Sequence, residues 1–228
     1  MSAGDCDIGS VLMNKHLNSL ESEDRAKRKS ALQSIQKHVF EEGERTSEEL
    51  SRMFDELGKP LIKCFSDPAE SCRELAGNIT HEFFKKLCPD DKHLVYLIPA
   101  LARRLGSPER LEQSEEVRLV MICLLREVVN RYASFLPSYL NDIILILAKV
   151  VLDPYPKIKK ESCECASDLA KAIPRHFHMQ SESLVKPILQ NFSHQQFRIR
   201  VASIGAIGKD CFISRFVREF IDDNYHYP

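Results

Sequence analysis

Apolar positions recur along much of the chain with the spacing of an amphipathic helix. In one stretch the apolar side chains alternate between gaps of three residues and one residue: Val117, Val120, Met121, Leu124, Leu125, Val128, Val129 and Tyr132. This spacing places them on one face of a helix with about 3.6 residues per turn. The stretches from Ala69 to Leu87 and from Ile158 to Ile173 repeat the pattern. Each stretch therefore predicts a helix with one buried face.

The run from Ile143 to Leu152 is too apolar for periodicity to distinguish a strand from a buried helix. Its β-branched content favours a strand, but no hairpin signal flanks it. It also occupies the position of the first helix in the repeat described next. We therefore predict a buried helix.

A short pattern repeats along the sequence: an apolar residue, a basic residue, two variable positions and a small or apolar residue. The basic positions are Arg73, Arg118, Lys159 and Arg200, with a weaker copy at Arg28. Going back from Arg200, they are 41, 41, 45 and 45 residues apart. A period of about 40–47 residues is typical of HEAT and armadillo repeats.

Each copy follows an apolar segment that ends in a turn, so each repeat is predicted to be two helices. The predicted units lie near residues 7–40, 46–87, 91–132, 136–173 and 180–208. Together they predict an all-α, right-handed α-solenoid of about five HEAT-type helical hairpins over residues 1–208. Pro60, Pro99 and Pro187 fall in first helices, where the missing N–H of proline is expected to kink the element.

Residues 209–228 form a separate, divergent tail. Its apolar residues fall on one helical face: Phe212, Ile213, Phe216, Val217, Phe220 and Ile221. Asp210 suits an N-cap. Because a terminal repeat needs a polar outer face, we predict an amphipathic helix that caps the last unit. The alternative is a disordered or aggregation-prone end.

Charge and hydropathy exclude several classes of partner. The 228 residues include 32 basic and 33 acidic side chains, which gives no strong field to attract nucleic acid. The longest apolar run has ten residues, fewer than the roughly 20 of a membrane span. The N-terminal residues 1–7 include two acids and no basic region, unlike a secretory signal. We expect a cytoplasmic protein with reduced cysteines and no membrane partner.

Basic clusters at 25–29, 103–104 and 157–160 have two interpretations. They could form a groove for an anionic partner or a nuclear signal. We favour solvated helix faces together with an internal ladder, in which Arg73, Arg118, Lys159 and Arg200 pair with turn acids such as Asp67 and Asp153.

No enzyme motif is present in the sequence: the glycines form no phosphate-binding loop, and G-x-S-x-G, H-E-x-x-H and C-x-x-C are absent. Cys163, Cys165, His176 and His178 are residue types that bind zinc, but residues two apart on a helix point about 200° away from each other. We therefore place Cys165 in the core and the histidines in a polar turn anchored by Phe177. We predict no catalytic residue, no metal and no cofactor.

Partner-binding residues cannot be assigned from these patterns. Arg103, Arg104 and the loop 106–114 are candidates only because they should be exposed.

Two stretches carry a family resemblance. One runs from Lys157 to Ala166 and continues through 176–184 to Arg200; the other runs from Lys63 to Glu70 and includes Cys72 and Arg73. Over residues 57–207 the chain resembles the dynein axonemal assembly factor 5 family of HEAT-repeat proteins. The resemblance implies a cytoplasmic, non-enzymatic factor for preassembly of axonemal dynein arms in motile cilia. The implied partners are axonemal dynein chains, chaperones and other assembly factors.

The chain departs from that family in two ways. It is much shorter than the family's repeat array, and the likeness ends near Gly208. We therefore expect it to correspond to the N-terminal part, as a truncated or alternatively spliced form. The alternative function is that of another HEAT-type protein-binding adaptor, for tubulin or for transport cargo.

Overall fold

The computed structural model describes residues 15–108 and 111–208, which form helices and turns with no strand among them. The chain divides into two compact units, residues 1–88 and 89–228. The predicted capping helix in 209–228 lies outside the described residues, as do the start of the predicted first unit and the loop tip at 109–110.

The first unit begins with a helical segment at residues 15–20. It continues with three longer helices, α1 (Arg25–Phe40), α2 (Ser47–Lys63) and α3 (Glu70–Lys86). Side chains fix two of the starts. The Asp24 carboxylate accepts a hydrogen bond from the N–H of Ala26, and Thr46 and Glu49 form a reciprocal capping box.

A phenylalanine cluster forms the centre of the first unit, where α3 packs against α1 and α2. The ring of Phe54 lies 4.7 Å from that of Phe83 and 5.5 Å from that of Phe84, measured between centroids. Gly58 gives the Phe54 ring room, because a Cβ there would lie 2.9 Å from the ring. Burial of aromatic rings in tilted and edge-to-face contact stabilises the packing of α2 on α3.

The second unit contains seven helices among its described residues. They are α4 (Leu94–Leu101), α5 (Glu115–Arg131), α6 (Leu140–Val150), α7 (Pro156–Ala172), α8 (Pro174–Gln180), α9 (Glu182–Leu189) and α10 (Phe197–Ile207).

These helices stack in two layers. The second helices form one layer, in which α5 packs on α7 and α7 packs on α10. In the other layer, the turn that extends α4 packs on α6, and α6 packs on α9. Each helical hairpin thus buries its apolar face against its neighbours, as expected for an all-α repeat solenoid.

The run that could have been a strand is helical. It corresponds to α6, and Ile143, Ile146 and Leu147 of that helix are buried. Together with the preceding 3₁₀ turn, Ala133–Val150 is an 18-residue stretch long and apolar enough to cross a membrane by composition alone. The core helix of a soluble protein has the same composition, so one such stretch is weak evidence for a span.

The three prolines lie inside helices, as predicted. After each one the backbone leaves α-helical geometry within a few residues. The segments Cys64–Ser66 and Gln190–Ser193 are 3₁₀ turns, and Ala102–Gly106 is a π turn. A proline inside a helix removes an intrahelical hydrogen bond, which is consistent with this loss of regularity near the C-terminal ends.

One expectation about local structure was wrong. The segment with His176 and His178 is not a turn but the short helix α8. Pro174 occupies its first turn, where the fixed φ of proline favours a helix start. Phe177 is fully buried and anchors the segment as predicted, and both histidines are exposed.

Candidate interaction surfaces

The repeated basic residues do form a ladder between adjacent helical hairpins. In the second unit, Arg118 donates from Nε to Asp153 Oδ2 at 2.7 Å and from Nη2 to Asp153 Oδ1 at 3.1 Å. Its Nη1 donates to the backbone carbonyls of Glu112 at 3.0 Å and Gln113 at 2.8 Å. One guanidinium therefore binds its own turn and the turn of the next hairpin, a geometry that only arginine offers.

Arg28 makes the same set of bonds in the first unit. Its Nε and Nη2 bind the carboxylate of Asp67 at 2.6 and 2.9 Å, and its Nη1 binds the carbonyls of Ser22 and Glu23, each at 2.9 Å. The weak sequence copy at Arg28 is thus a full structural copy. Asp67 was expected to pair with one of the later basic residues, but its carboxylate binds Arg28; Arg73 instead donates to the Asp67 carbonyl at 2.9 Å.

The turn acids also accept a backbone hydrogen bond within their own turns, from the residue two positions further along the chain. Asp67 Oδ1 accepts from the N–H of Ala69 at 2.7 Å, and Asp153 Oδ1 accepts from the N–H of Tyr155 at 2.8 Å. Burial alone would raise the pKa of Asp67, but the hydrogen bonds from Arg28 and from the Ala69 N–H outweigh it and hold the pKa below its usual value. The carboxylate therefore stays ionised in its partly buried site.

Lys159 and Arg200 complete the ladder with different chemistry. Lys159 Nζ donates to the side-chain oxygen of Asn191 at 3.2 Å, and Asn191 in turn donates to the carbonyl of Val151 at 2.8 Å. Arg200 Nη1 donates to the carbonyls of His194 and Gln195 at 2.7 and 2.9 Å. The pairs in this ladder are largely buried, so we assign the ladder to the fold and not to partner binding.

The candidate partner-binding residues, Arg103, Arg104 and the loop 106–114, are only partly exposed to solvent. Arg103 is exposed, but Arg104 hydrogen-bonds through Nη2 to the carboxylate of Glu112, whose side chain is fully buried. Gly106 is also buried. Arg104 was therefore wrongly placed among the freely exposed residues, because its guanidinium compensates a buried carboxylate.

A charged cluster lies on the second-helix layer between α5 and α7. Arg126 of α5 binds Glu161 at 2.8 Å and Asp168 at 2.9 Å, and it also binds Glu164. Burial lowers the pKa of Arg126, but these carboxylates outweigh it and raise the pKa above its usual value. Sequence patterns missed this cluster, although the i, i+3, i+7 spacing of the three acids marks one face of α7.

Two lysines extend this cluster towards solvent. Lys160 Nζ lies 2.7 Å from Glu164 Oε1, and Lys171 Nζ lies 3.2 Å from Asp168 Oδ1. Both lysine side chains are at least one-third exposed, at 36% and 57%. The arrangement braces α5 against α7 and presents charges of both signs to solvent.

Cys163, Cys165, His176 and His178, the residue types that could bind zinc, do not form a common site. Cys163 and Cys165 are fully buried, and burial raises the pKa of each thiol. Cys163 hydrogen-bonds to Ser203 of α10 at 3.4 Å, whereas His176 and His178 are exposed on α8. Across the described residues, no group of three His, Cys, Asp or Glu side chains could hold a metal ion.

A cavity of about 750 Å³ opens in the first unit, lined in part by Leu17, Lys59, Pro60 and the Arg28–Asp67 pair. Its most buried polar groups are thus already hydrogen-bonded to each other.

Comparison with known proteins identifies the family. A model described as "Dynein axonemal assembly factor 5-like, TPR repeats" matches residues 19–217. The chain belongs to the dynein axonemal assembly factor 5-like family. The matched range runs past the boundary near Gly208 at which the sequence suggested that the likeness ends.

Curated relatives carry the same name. Dynein axonemal assembly factor 5 of Xenopus laevis is 45% identical over 194 residues, covering 85% of this chain and 23% of the relative. The Mus musculus and Homo sapiens proteins are each 35% identical over 92% of this chain, covering 27% and 26% of their own lengths. The chain therefore spans about a quarter of the length of these relatives.

Solved structures support the fold alone. A designed armadillo repeat protein aligns with a TM-score of 0.65 at 15% identity, covering 95% of this chain and 93% of the design. A second design, in complex with peptide (KR)4, aligns with a TM-score of 0.61 and the same identity. The ladder period of 41–45 residues matches HEAT and armadillo units better than the roughly 34 residues of a TPR unit.

Proposed function

We propose that the chain is a non-enzymatic repeat scaffold that acts in the cytoplasmic preassembly of axonemal dynein arms for motile cilia. The observation that carries the proposal is the family match over residues 19–217. The all-α solenoid supports it, because stacked helical hairpins offer extended surfaces for protein partners. The partners that we propose are axonemal dynein chains, chaperones and other assembly factors.

We further propose that partners contact the second-helix layer of the second unit. That layer carries the Arg126 cluster, with the solvent-exposed amines of Lys160 and Lys171 at its edge. A surface with charges of both signs can give a partner orientation and specificity through electrostatic complementarity. The buried Arg–Asp ladder cannot do so because solvent scarcely reaches it.

The test is affinity purification of the tagged chain from cells that are building motile cilia, followed by mass spectrometry. Recovery of axonemal dynein chains with cytosolic chaperones supports the assembly role. Their recovery by the full-length human relative, but not by this chain, would place the contacts outside these residues and overturn the proposal. Recovery of tubulin or transport factors in their place would support the adaptor function instead.

A matched pair of double variants tests the contact layer. Lys160→Glu with Lys171→Glu reverses two charges on α7, and Lys149→Glu with Lys186→Glu reverses two exposed charges on the first-helix layer. We expect the α7 variant alone to lose partner recovery, while circular dichroism shows that both remain folded. Equal recovery by the two variants would contradict contact through the second-helix layer.

A further inference from the structure

The cavity in the first unit has the size of a ligand site. Its volume of about 750 Å³ falls within the range of about 300–1,000 Å³ that is usual for such sites. The helical segment at residues 15–20 forms one wall, and the C-terminal end of α2 forms another. The turn after α2 and the first turn of α1 complete the lining. The cavity is therefore large enough to hold the end of a peptide.

Part of the lining is apolar. The apolar side chains that face the cavity are those of Leu17, Leu20, Pro60 and Pro68. Leu20 is buried, whereas Pro68 is exposed, so this wall extends from the interior to the surface. Apolar surface in contact with water gains free energy when an apolar group covers it. The wall therefore favours a ligand with an apolar side chain.

The charged groups of the lining leave one net positive charge. They are Arg28, Lys59 and Lys63, together with Glu21 and Asp67. Arg28 and Asp67 neutralise each other in the bidentate pair described above. The Cys64 thiol is neutral at pH 7, because burial raises its pKa to about 11. The negative end of the α2 dipole is offset, since both α1 and α3 begin next to the cavity.

The excess positive charge belongs to two lysines. Lys59 and Lys63 lie one helical turn apart on α2, and both are exposed. Lys63 Nζ lies 3.0 Å from Glu21 Oε1, but the two side chains are 77% and 73% exposed. An ion pair this exposed contributes little free energy, so a carboxylate that enters the cavity can displace Glu21. Two ammonium groups beside an apolar wall are suited to an anion that carries an apolar group.

We propose that this cavity binds the carboxyl terminus of a peptide whose last residue is apolar. The last side chain lies against the apolar wall, and the terminal carboxylate lies between Lys59 and Lys63. Asn18 and Ser66 add an exposed amide and an exposed hydroxyl to the lining, and these can hydrogen-bond to the preceding peptide groups. A free acyl carboxylate has no peptide groups to bind there.

This site is separate from the one proposed above for partners. The cavity belongs to the first unit, whereas the second-helix layer with the Arg126 cluster belongs to the second. Either site can therefore fail its test without affecting the other.

Peptide titration of the ¹⁵N-labelled full chain tests the proposal by NMR. The probe is an acetylated pentapeptide of glycine and serine that ends in leucine with a free carboxylate. We expect it to shift the backbone amides of Leu17 and Cys64. The same peptide with a C-terminal amide, and a peptide that ends in glycine, should each bind about tenfold more weakly.

Three results of the titration would overturn the proposal. The first is the absence of a shift at about 1 mM peptide, since a specific site should bind at least this tightly. The second is equal binding of the acid and the amide, which would exclude recognition of the carboxylate. The third is octanoate binding as tightly as the peptide, which would show that the site takes a free acyl carboxylate instead.

Charge variants separate this recognition from general attraction. Lys59→Gln with Lys63→Gln should weaken binding of the acid peptide about tenfold and leave binding of the amide unchanged. Lys27→Gln with Lys37→Gln is the matched control, because these exposed lysines of α1 do not line the cavity. The control should change the affinity by less than about twofold, since salt screens distant charges. Equal losses in the two double variants, or equal losses for acid and amide, would contradict the proposal.

Discussion

Lys159 Nζ lies 3.2 Å from Asn191 Oδ1, at the position where other hairpins pair an arginine with an aspartate. The Asn191 amide also donates to the Val151 carbonyl, a bond that a carboxylate could not make. The charged contact between turns is thus replaced here by an amide that binds both a side chain and the backbone of the preceding turn.

Replacing Asn191 with alanine should destabilise the second unit. Asn191 is 2% exposed, and its loss leaves the Val151 carbonyl without that donor. We expect a loss of about 1–3 kcal/mol in the free energy of unfolding, measured with urea. Asn141 is exposed on α6, so Asn141→Ala is the control and should cost less than about 0.5 kcal/mol. An equal loss for both variants would show that the Asn191 contacts do not stabilise the fold.

Arg118 and Arg200 differ in a way that predicts unequal costs. Arg118 binds a buried carboxylate and two carbonyls, whereas the hydrogen bonds of Arg200 are to two carbonyls. Removing Arg118 strands the buried charge of Asp153, so Arg118→Ala should cost about 3–5 kcal/mol.

Arg200→Ala should cost less than Arg118→Ala, because it leaves no carboxylate stranded. Urea unfolding of both variants measures the difference. If Asp153→Asn restored no stability to Arg118→Ala, the stranded charge could not be the cause of the loss.

His81 predicts a fall in stability at mildly acidic pH. Burial, aided by the nearby charge of Lys85, lowers its pKa from 6.5 to about 4, with Glu82 acting in the opposite direction. The unfolded chain therefore binds more protons than the folded chain between these values. The contribution of neutral His81 is fully present above about pH 6.5 and is lost as the pH falls towards 4.

The variant His81→Asn isolates this contribution, because asparagine stays neutral throughout. We expect its free energy of unfolding to change less between pH 7 and pH 4.5 than that of the unmodified chain, by about the effect of one titrating group. Parallel pH profiles for the two proteins would rule out His81 as the source.

Among the described cysteines, Cys88 should be the first to react with iodoacetamide. It is exposed, whereas Cys64, Cys163 and Cys165 are buried. Burial raises the pKa of the Cys64 thiol to about 11, which depletes the reactive thiolate. Peptide mapping after brief labelling measures each site separately. Labelling of Cys165 as fast as Cys88 would show that α7 opens under native conditions.

The helices and the repeat period could be predicted from sequence because burial follows apolar spacing directly. The basic residue follows an apolar residue in four of the five copies, as Arg118 follows Val117, so its role in a ladder was predictable. Which turn acid each basic residue binds could not be predicted, because Asp67 lies closer in sequence to Arg73 than to Arg28 but binds Arg28. The Arg126 cluster depends on which faces of α5 and α7 meet, and a single helix does not encode that choice.

The replacement of an Arg–Asp pair by Lys159 and Asn191 predicts where the repeat array should first unfold locally. In a stack of repeats coupled only between neighbours, opening starts at the weakest junction. The two hydrogen bonds of the Asn191 amide couple adjacent hairpins less strongly than a bidentate ion pair does. Amide hydrogen exchange should therefore be faster in α9 and α10 than in α5 and α7, so that the hairpin of α9 and α10 opens before the helices that precede it.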